Sequence, residues 1–357
     1  MGIDITEPCI LLNASQCCQT TLLGVEEKVL YIYLFPFLLI FSIFGNTMNV
    51  ILYHHPFLRS SSTVRILMCR ALANLFFSLS LIPNYIYSLG NGPRPPEQPY
   101  TVYETDTAEI FYWSTIKYVM FFVSFLNTTS VWLTVCVTCQ LLGLIVWPFA
   151  TKRTLSLKMS NCIIVVVVIL SVLLHSQLLT HRLVLQEPCP QDSTIIVHRY
   201  LSTNKLIVDK LYYYVHAASV NIFPLLILVL CCIIMGCNLI ERRRHSIVTS
   251  TFKKSTARSE CVLSLAAATT VCHLIFEFPS PAVHVFAAFT FLLDSQCLIL
   301  IAITNFLTIL NASTTFIVYT AFSRRYRHLA MHICGCRGSH TQIPKDEPSL
   351  MKRRNLV

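Results

Sequence analysis

Charge is scarce in this chain. Only 12% of its 357 residues are Asp, Glu, Lys or Arg, about half the share of a soluble globular protein. With 54% hydrophobic residues and a mean hydropathy of +0.62, the chain has too few polar groups to cover itself in water, so most of its solvent must be lipid. Acids are nearly missing from the long apolar runs, and the 12 histidines are scattered. A metal-dependent membrane hydrolase needs His, Asp and Glu clustered within its spans, and a channel or carrier needs polar groups along a pathway at mid-membrane. Neither pattern is present, so no enzyme, metal or cofactor is expected. No CxxC pair is matched by a second at zinc spacing. Many of the 16 cysteines, among them Cys136, Cys139, Cys231, Cys232 and Cys272, lie in apolar runs where cysteine acts as a small hydrophobe. No internal repeat argues for a transporter built from duplicated halves. No cleavable signal peptide is expected, because Met1 to Lys28 is polar and mildly acidic and the first long apolar run follows it.

Seven apolar runs are present, near 29–53, 64–89, 110–146, 161–181, 212–240, 260–288 and 294–320. Each meets the roughly 20 residues that a spanning helix needs, and the third is longer than a bilayer requires. The fold expected is an all-α membrane protein, a seven-transmembrane helix bundle. It divides into an extracellular segment 1–28, a bundle 29–320, an amphipathic helix 321–336 and a cytoplasmic tail 337–357. The net charge of +10 sits in short blocks between apolar runs, which suits an anionic membrane surface and not nucleic acid. With the N-terminus outside, 20 of the 27 Lys and Arg fall on the inner side, Arg59, Arg65 and Arg70 among them, and 7 on the outer side. That bias sets the orientation and, with the apolar spans, predicts a multi-pass protein. Asn13-Ala14-Ser15 is a glycosylation acceptor in the segment this places outside. The stretch "GNGPRPPEQPY" reads as an irregular surface loop, and His181 to Lys210 is a long outer segment containing Cys189.

Past Tyr319, the residues Phe322, Tyr326, Leu329 and Ile333 recur at intervals of four, three and four, one face of a helix lying along the inner leaflet. Cys334 and Cys336 follow near the membrane as palmitoylation candidates. The basic segments "ERRRHS" and "FKKSTARSE" continue spans five and six as a surface for lipid or an effector.

Several landmarks recur in order: Gly45-Asn46 in span one, Asn74 and Pro83 in span two, "SVWLTVCVTCQLLGLIVWPF" in span three, Phe223-Pro224 in span five, Pro279 in span six and Tyr319 in span seven. Together they resemble the rhodopsin-like G-protein-coupled receptors, and the "SVWLTV" run is most similar to invertebrate FMRFamide-type peptide receptors. The resemblance covers about residues 29 to 333 and implies a plasma-membrane receptor that passes ligand binding to a heterotrimeric G protein. It also exposes departures. Asn74 stands where the family carries an aspartate that helps hold sodium. Gln140-Leu141-Leu142 replaces the acid-Arg-Tyr triplet, so the arginine that would contact a G protein is gone. Thr315-Phe316-Ile317-Val318-Tyr319 keeps only the tyrosine of Asn-Pro-x-x-Tyr, and Glu277 replaces a bulky aromatic before Pro279. The cysteine usual at the outer end of span three is missing, which leaves open whether Cys189 pairs with Cys9, Cys17 or Cys18 or stays free.

Glu277 is the most informative ionisable residue, since a carboxylate at that depth costs a few kcal/mol unless it faces the bundle interior or water. It is a ligand candidate, and a good partner for the guanidinium of an FMRFamide-like peptide; otherwise it is protonated, or pairs internally with His273, His284 or Lys117. Tyr118, Phe122, Tyr214, His216, His284 and Gln296 are the other pocket candidates, with Lys117. The leading reading is a peptide receptor. The alternative within the fold is a divergent chemosensory receptor, or one that signals without a G protein; channel, carrier or hydrolase is the alternative outside it.

Overall fold

The structure, a computed structural model, describes residues 33–56, 61–91, 100–103, 107–147, 151, 156–188, 195–202, 211–212, 214–248, 270–276, 279, 295–322, 326–327 and 330–331. In order, the helices are α1 (Phe35–His54), α2 (Ser62–Ser80), α3 (Ile82–Asn91), α4 (Thr107–Val146), α5 (Leu157–His175), α6 (Gln177–Thr180), α7 (Phe223–Val248) and α8 (Ser295–Phe322). Among the described residues, five stretches are long and apolar enough to cross a membrane: Phe35–His54, Ser62–Ile86, Phe111–Leu144, Leu157–Thr180 and Tyr214–Asn238, with a shorter apolar helix at Phe306–Ala321. Of the sixth apolar run the described part is helical at 270–276 and at Pro279. In lipid a helix satisfies its own backbone, which is why apolar runs of this length fold this way.

Local chemistry sets the ends and breaks. α1 starts with Pro36 in its first turn, where the missing N–H removes no helical hydrogen bond. Ser156 caps α5, its hydroxyl accepting from the Met159 backbone N–H at 3.1 Å, a contact worth about 1 kcal/mol. The second span breaks at Leu81, between α2 and α3. Pro83, just inside α3, has no N–H to donate and its ring presses on the carbonyl four residues back. A π-helical stretch, Ala217–Ile222, leads into α7 immediately before Pro224. Such wide turns arise where the ordinary ladder is interrupted, and here Trp132 Nε1 donates to the Ser219 carbonyl at 3.1 Å. α4, at 40 residues, is about 60 Å long, roughly twice the hydrocarbon thickness.

α4 packs on α2, α5 and α7, while α1 packs on α2 and α8. One apolar layer joins Phe35, Leu38 and Leu39 of α1 to Phe77 of α2, Leu126 of α4 and Phe306 of α8. A second joins Leu52 and Tyr53 to Ile66, Leu67, Leu133, Val137 and Tyr326. α5 lies at the rim, with Val165, Val166, Ile169 and Leu170 exposed as a lipid-facing side would be.

Two expectations need correction. A three-stranded antiparallel sheet of order β1-β3-β2 accompanies the helices. β1 (Tyr100–Tyr103), β2 (Arg182–Pro188) and β3 (Ile195–Ser202) pair with Tyr100 opposite His198 and Arg182 opposite Ser202. Part of the supposed irregular loop is therefore a strand: Tyr100, its last residue, pairs in a ladder that is contiguous only in space. Arg70, grouped with the inner-side cations, lies inside α2 and is buried.

Candidate functional site

Polar groups run through the bundle as a continuous seam. The hydroxyls of Ser42 on α1 and Ser78 on α2 share a 2.8 Å hydrogen bond. Asn46 Nδ2 donates to the Ser42 carbonyl at 2.9 Å and to the Ala312 carbonyl of α8 at 3.1 Å. Asn74 Nδ2 donates to the same Ala312 carbonyl at 3.4 Å, and Ser78 Oγ donates to the Asn74 carbonyl at 2.9 Å. One carbonyl of α8 thus collects amides from two other helices. This gives Asn74 a physical reason: an ionised aspartate there has no N–H and would set a carboxylate against a carbonyl. His273 continues the seam, its Nδ1–H donating to Asn311 Oδ1 at 3.0 Å.

Toward the end where α1, α2 and α4 meet Tyr326, the seam becomes aromatic. Tyr326 donates its hydroxyl to Asn49 Oδ1 at 2.6 Å, and its ring lies 5.7 Å from that of Tyr319, which is 6.3 Å from that of Tyr53. Burial and the neighbouring Tyr319 push the Tyr326 phenol well above its ordinary pKa. Arg327 NH1 donates to the Thr320 carbonyl at 2.9 Å and also to that of Ala321, closing the end of α8 as a cation there should.

The degenerate switch positions are packed into this end. Gln140 is buried, its Oε1 accepts from Thr63 Oγ1 at 3.2 Å, and its Nε2 has no hydrogen-bond partner. Leu141 and Leu142 pack against Cys231 and Met235 of α7, an apolar contact where the resembled family places a charge. Thr315 is buried. Phe316 packs edge-on against Phe41 and Phe44, with centroids 6.3 and 5.7 Å away. Pro224 lines a small cleft with Val131, Asn221, Leu228 and His273.

At the other side of the bundle, His175 is completely buried. Its Nε2 lies 2.8 Å from the Thr128 hydroxyl and its Nδ1 3.0 Å from the Tyr212 hydroxyl, while the His216 ring stands 5.2 Å away. A neutral imidazole donates from one nitrogen and accepts at the other, so this histidine ties α4, α5 and the fifth span together. Of the ligand candidates, Lys117 sits over the ring of Tyr118 at 5.2 Å, and Tyr118, Phe122 and Tyr214 are about half-exposed. Gln296 lies in α8. Glu277, His284, Asn13, Cys189, Cys334 and Cys336 lie outside the described residues, and Pro279 is helical and half-buried. Among the described residues no group of three or more His, Cys, Asp or Glu could hold a metal ion.

Reading the sequence missed His175 and the burial of Arg70. Each stands in or beside an apolar run with nothing local to set it apart; the only available signal was the cost of a polar group at that depth.

Apolar spans joined through a buried polar seam make a membrane helix bundle, and the family match makes it a receptor of the G-protein-coupled kind. The chain belongs to the serpentine type 7TM GPCR chemoreceptor family Srw, whose family model matches residues 33–337. No curated protein matches it. The match supports the receptor bundle, but neither the rhodopsin-like class nor the FMRFamide-type likeness drawn from "SVWLTV". That run forms the buried middle of α4, where Val131 and Leu133 pack the core and Trp132 reaches Ser219. It therefore reports helix packing as much as ligand class.

Proposed function

We propose that this chain is a chemosensory receptor of the plasma membrane, with its N-terminus outside, that converts ligand binding between the helices into a rearrangement of its inner face. The observation that carries this reading is the chemoreceptor family match across 33–337. The buried seam supports it too: Asn46, Asn74, His273 and Asn311 hold α1, α2, α8 and the sixth span through a few hydrogen bonds, and few bonds make a bundle with two accessible arrangements. Glu277, His284 and Lys117 supply the ionisable groups for ligand recognition at the outer half. Asn13 carries a glycan, and Cys334 and Cys336 carry acyl chains beside the inner leaflet. A heterotrimeric G protein meets the basic segments "ERRRHS" and "FKKSTARSE" without an arginine from span three.

The test uses the full chain with one epitope before Met1 and another after Val357. On intact cells antibody reaches the first; the second is reached only after permeabilisation, and access to Val357 on intact cells overturns the orientation. A reporter of cAMP or calcium is then screened against small soluble and volatile molecules and against amidated peptides. Responses to small molecules support the chemosensory reading. Responses confined to amidated peptides and lost in Glu277→Gln would replace it with the peptide reading.

A further inference from the structure

The wide turn before Pro224 brings polar chemistry to a place between three spans. The π-helical stretch Ala217–Ile222 ends just before Phe223, and Pro224 has no N–H for the Val220 carbonyl. Turns of this kind cluster at functional sites. α4 holds the stretch in place, because Trp132 Nε1 donates to the Ser219 carbonyl at 3.1 Å. The adjacent Val131 lines a cleft together with Asn221, Pro224 and Leu228 of the fifth span and His273 of the sixth.

Two walls of that cleft are polar and complementary. Asn221 Nδ2 is buried with no hydrogen-bond partner. His273 gives its Nδ1–H to Asn311 Oδ1 at 3.0 Å, so the neutral imidazole keeps Nε2 as an acceptor. Among the described residues no donor pairs with that nitrogen. A donor without an acceptor and an acceptor without a donor therefore border one cleft, and Val131, Pro224 and Leu228 offer neither of them a partner. Buried polar groups are nearly always bonded, so the chemistry of the walls specifies an occupant. A cation would meet the Asn221 N–H, and an anion would meet the lone pair of Nε2. A neutral hydroxyl group suits both, since it accepts and donates at once. Size narrows the choice further. The room for solvent is about 10 Å³, at the lower edge of the roughly 10–15 Å³ that a single water needs.

We propose that this cleft is a binding site for one water, which accepts from Asn221 Nδ2, donates to His273 Nε2 and so carries the polar seam of the bundle into the fifth span. The direct bonds of the seam join Asn46 and Asn74 to the Ala312 carbonyl of α8, and Asn311 of α8 to His273. The water adds the next link, from His273 to the π-helical stretch. A bridging water holds nearly as well as a direct hydrogen bond, and it can be exchanged. The fifth and sixth spans are thereby tied by a removable part. The site goes beyond the receptor reading and does not depend on it.

The experiment applies radiolytic hydroxyl footprinting to full-length wild type, Asn221→Leu and Asn221→Ser in lipid nanodiscs. Water is the probe, and the bulk solvent is switched to heavy-oxygen water just before exposure. Radicals from a held water mark only its neighbours, and they leave ordinary oxygen. Wild type is expected to carry that mark on Leu228 and His273, which are 1% and 2% exposed. Asn221→Leu removes the donor and fills the cleft, so the mark should fall severalfold. Asn221→Ser keeps a hydroxyl and should keep the mark. Losing one bridged hydrogen bond makes local opening about fivefold more frequent, so hydrogen–deuterium exchange in 270–276 should speed by that factor in Asn221→Leu. No mark on Leu228 and His273 in wild type overturns the site, as a direct contact between Asn221 and His273 would predict. Heavy oxygen on both overturns a held water in favour of open access. An equal mark in Asn221→Leu overturns the role of Asn221, and unchanged exchange in 270–276 overturns the link. Leu133, fully buried and away from the cleft, should stay unmarked. If Asn221→Leu marks Leu133, its packing is lost and the wild-type imidazole decides instead. The Nε2 nitrogen resonance of His273, assigned by its loss in His273→Gln, should stand where a hydrogen-bonded acceptor stands; the position of a free nitrogen overturns the water.

Discussion

Gly45 offers a sharp check on how α1 meets α8. A Cβ added there would lie 3.1 Å from Phe316 Cβ and 3.3 Å from its Cγ, inside the roughly 3.5–4.0 Å at which carbon atoms attract. Phe316 cannot swing away freely, because Phe41, Phe44 and Tyr326 surround its ring at centroid distances of 6.3, 5.7 and 6.4 Å. Two effects then compete in Gly45→Ala. Helix propensity favours alanine by about 1 kcal/mol, and overpacking opposes it by about 1–3 kcal/mol. Overpacking wins, leaving the variant about 1 kcal/mol less stable on balance. Gly45→Val adds two methyl groups and forgoes most of the propensity gain, so its loss is about 3 kcal/mol. Gly236 of α7 is the internal control, since nothing lies within 4 Å of a Cβ built there; Gly236→Ala gains up to about 1 kcal/mol. Thermal unfolding of the purified proteins in one detergent should rank Gly236→Ala above wild type, then Gly45→Ala, then Gly45→Val. If Gly45→Val melts at or above the wild-type temperature, the close approach of α1 and α8 is wrong.

Two further perturbations probe the seam. His175→Phe fills similar space but takes the imidazole partner from the buried Thr128 hydroxyl and one hydrogen bond from that of Tyr212, at a cost of about 1–3 kcal/mol for the Thr128 group; a melting temperature equal to wild type would sink the three-helix tie. Tyr326 gives a pH signature. Its phenol is pushed up by burial and by Tyr319, so the folded state keeps a proton that the unfolded chain releases near pH 10. The stabilisation is complete below that pH and is lost as pH climbs above it. Alkaline unfolding curves should therefore fall less steeply beyond about pH 10 in Tyr326→Phe than in wild type, and parallel curves would count against the buried phenol.

Much of the architecture was legible because it follows from local quantities. A run of some 20 apolar residues must hide its backbone polar groups in a helix when its solvent is lipid, so the spans could be counted along the chain. The break between α2 and α3 follows the same local logic, since Pro83 just inside α3 has no N–H to donate. The sheet was less visible, because β1 and β3 are nearly a hundred residues apart and their pairing carries no local mark. Function was legible only coarsely. The landmarks indicated a receptor bundle, but the ligand class inferred from "SVWLTV" drew on a stretch whose residues largely serve helix packing.

Sequence alone determined that this is a helical membrane bundle, and that Asn74, Gln140, Thr315 and Phe316 stand where the resembled receptors carry other chemistry. Only the tertiary structure decided what those residues do: Asn74 joins Asn46 on one carbonyl, Phe316 closes α8 onto Gly45, and Arg70 is buried inside α2. The division has a physical cause. Hydrophobicity and helix breaking are properties of a short segment, readable wherever it occurs. The partner of a buried polar group is a property of the space between helices, fixed only when distant segments are brought within a few ångströms of one another.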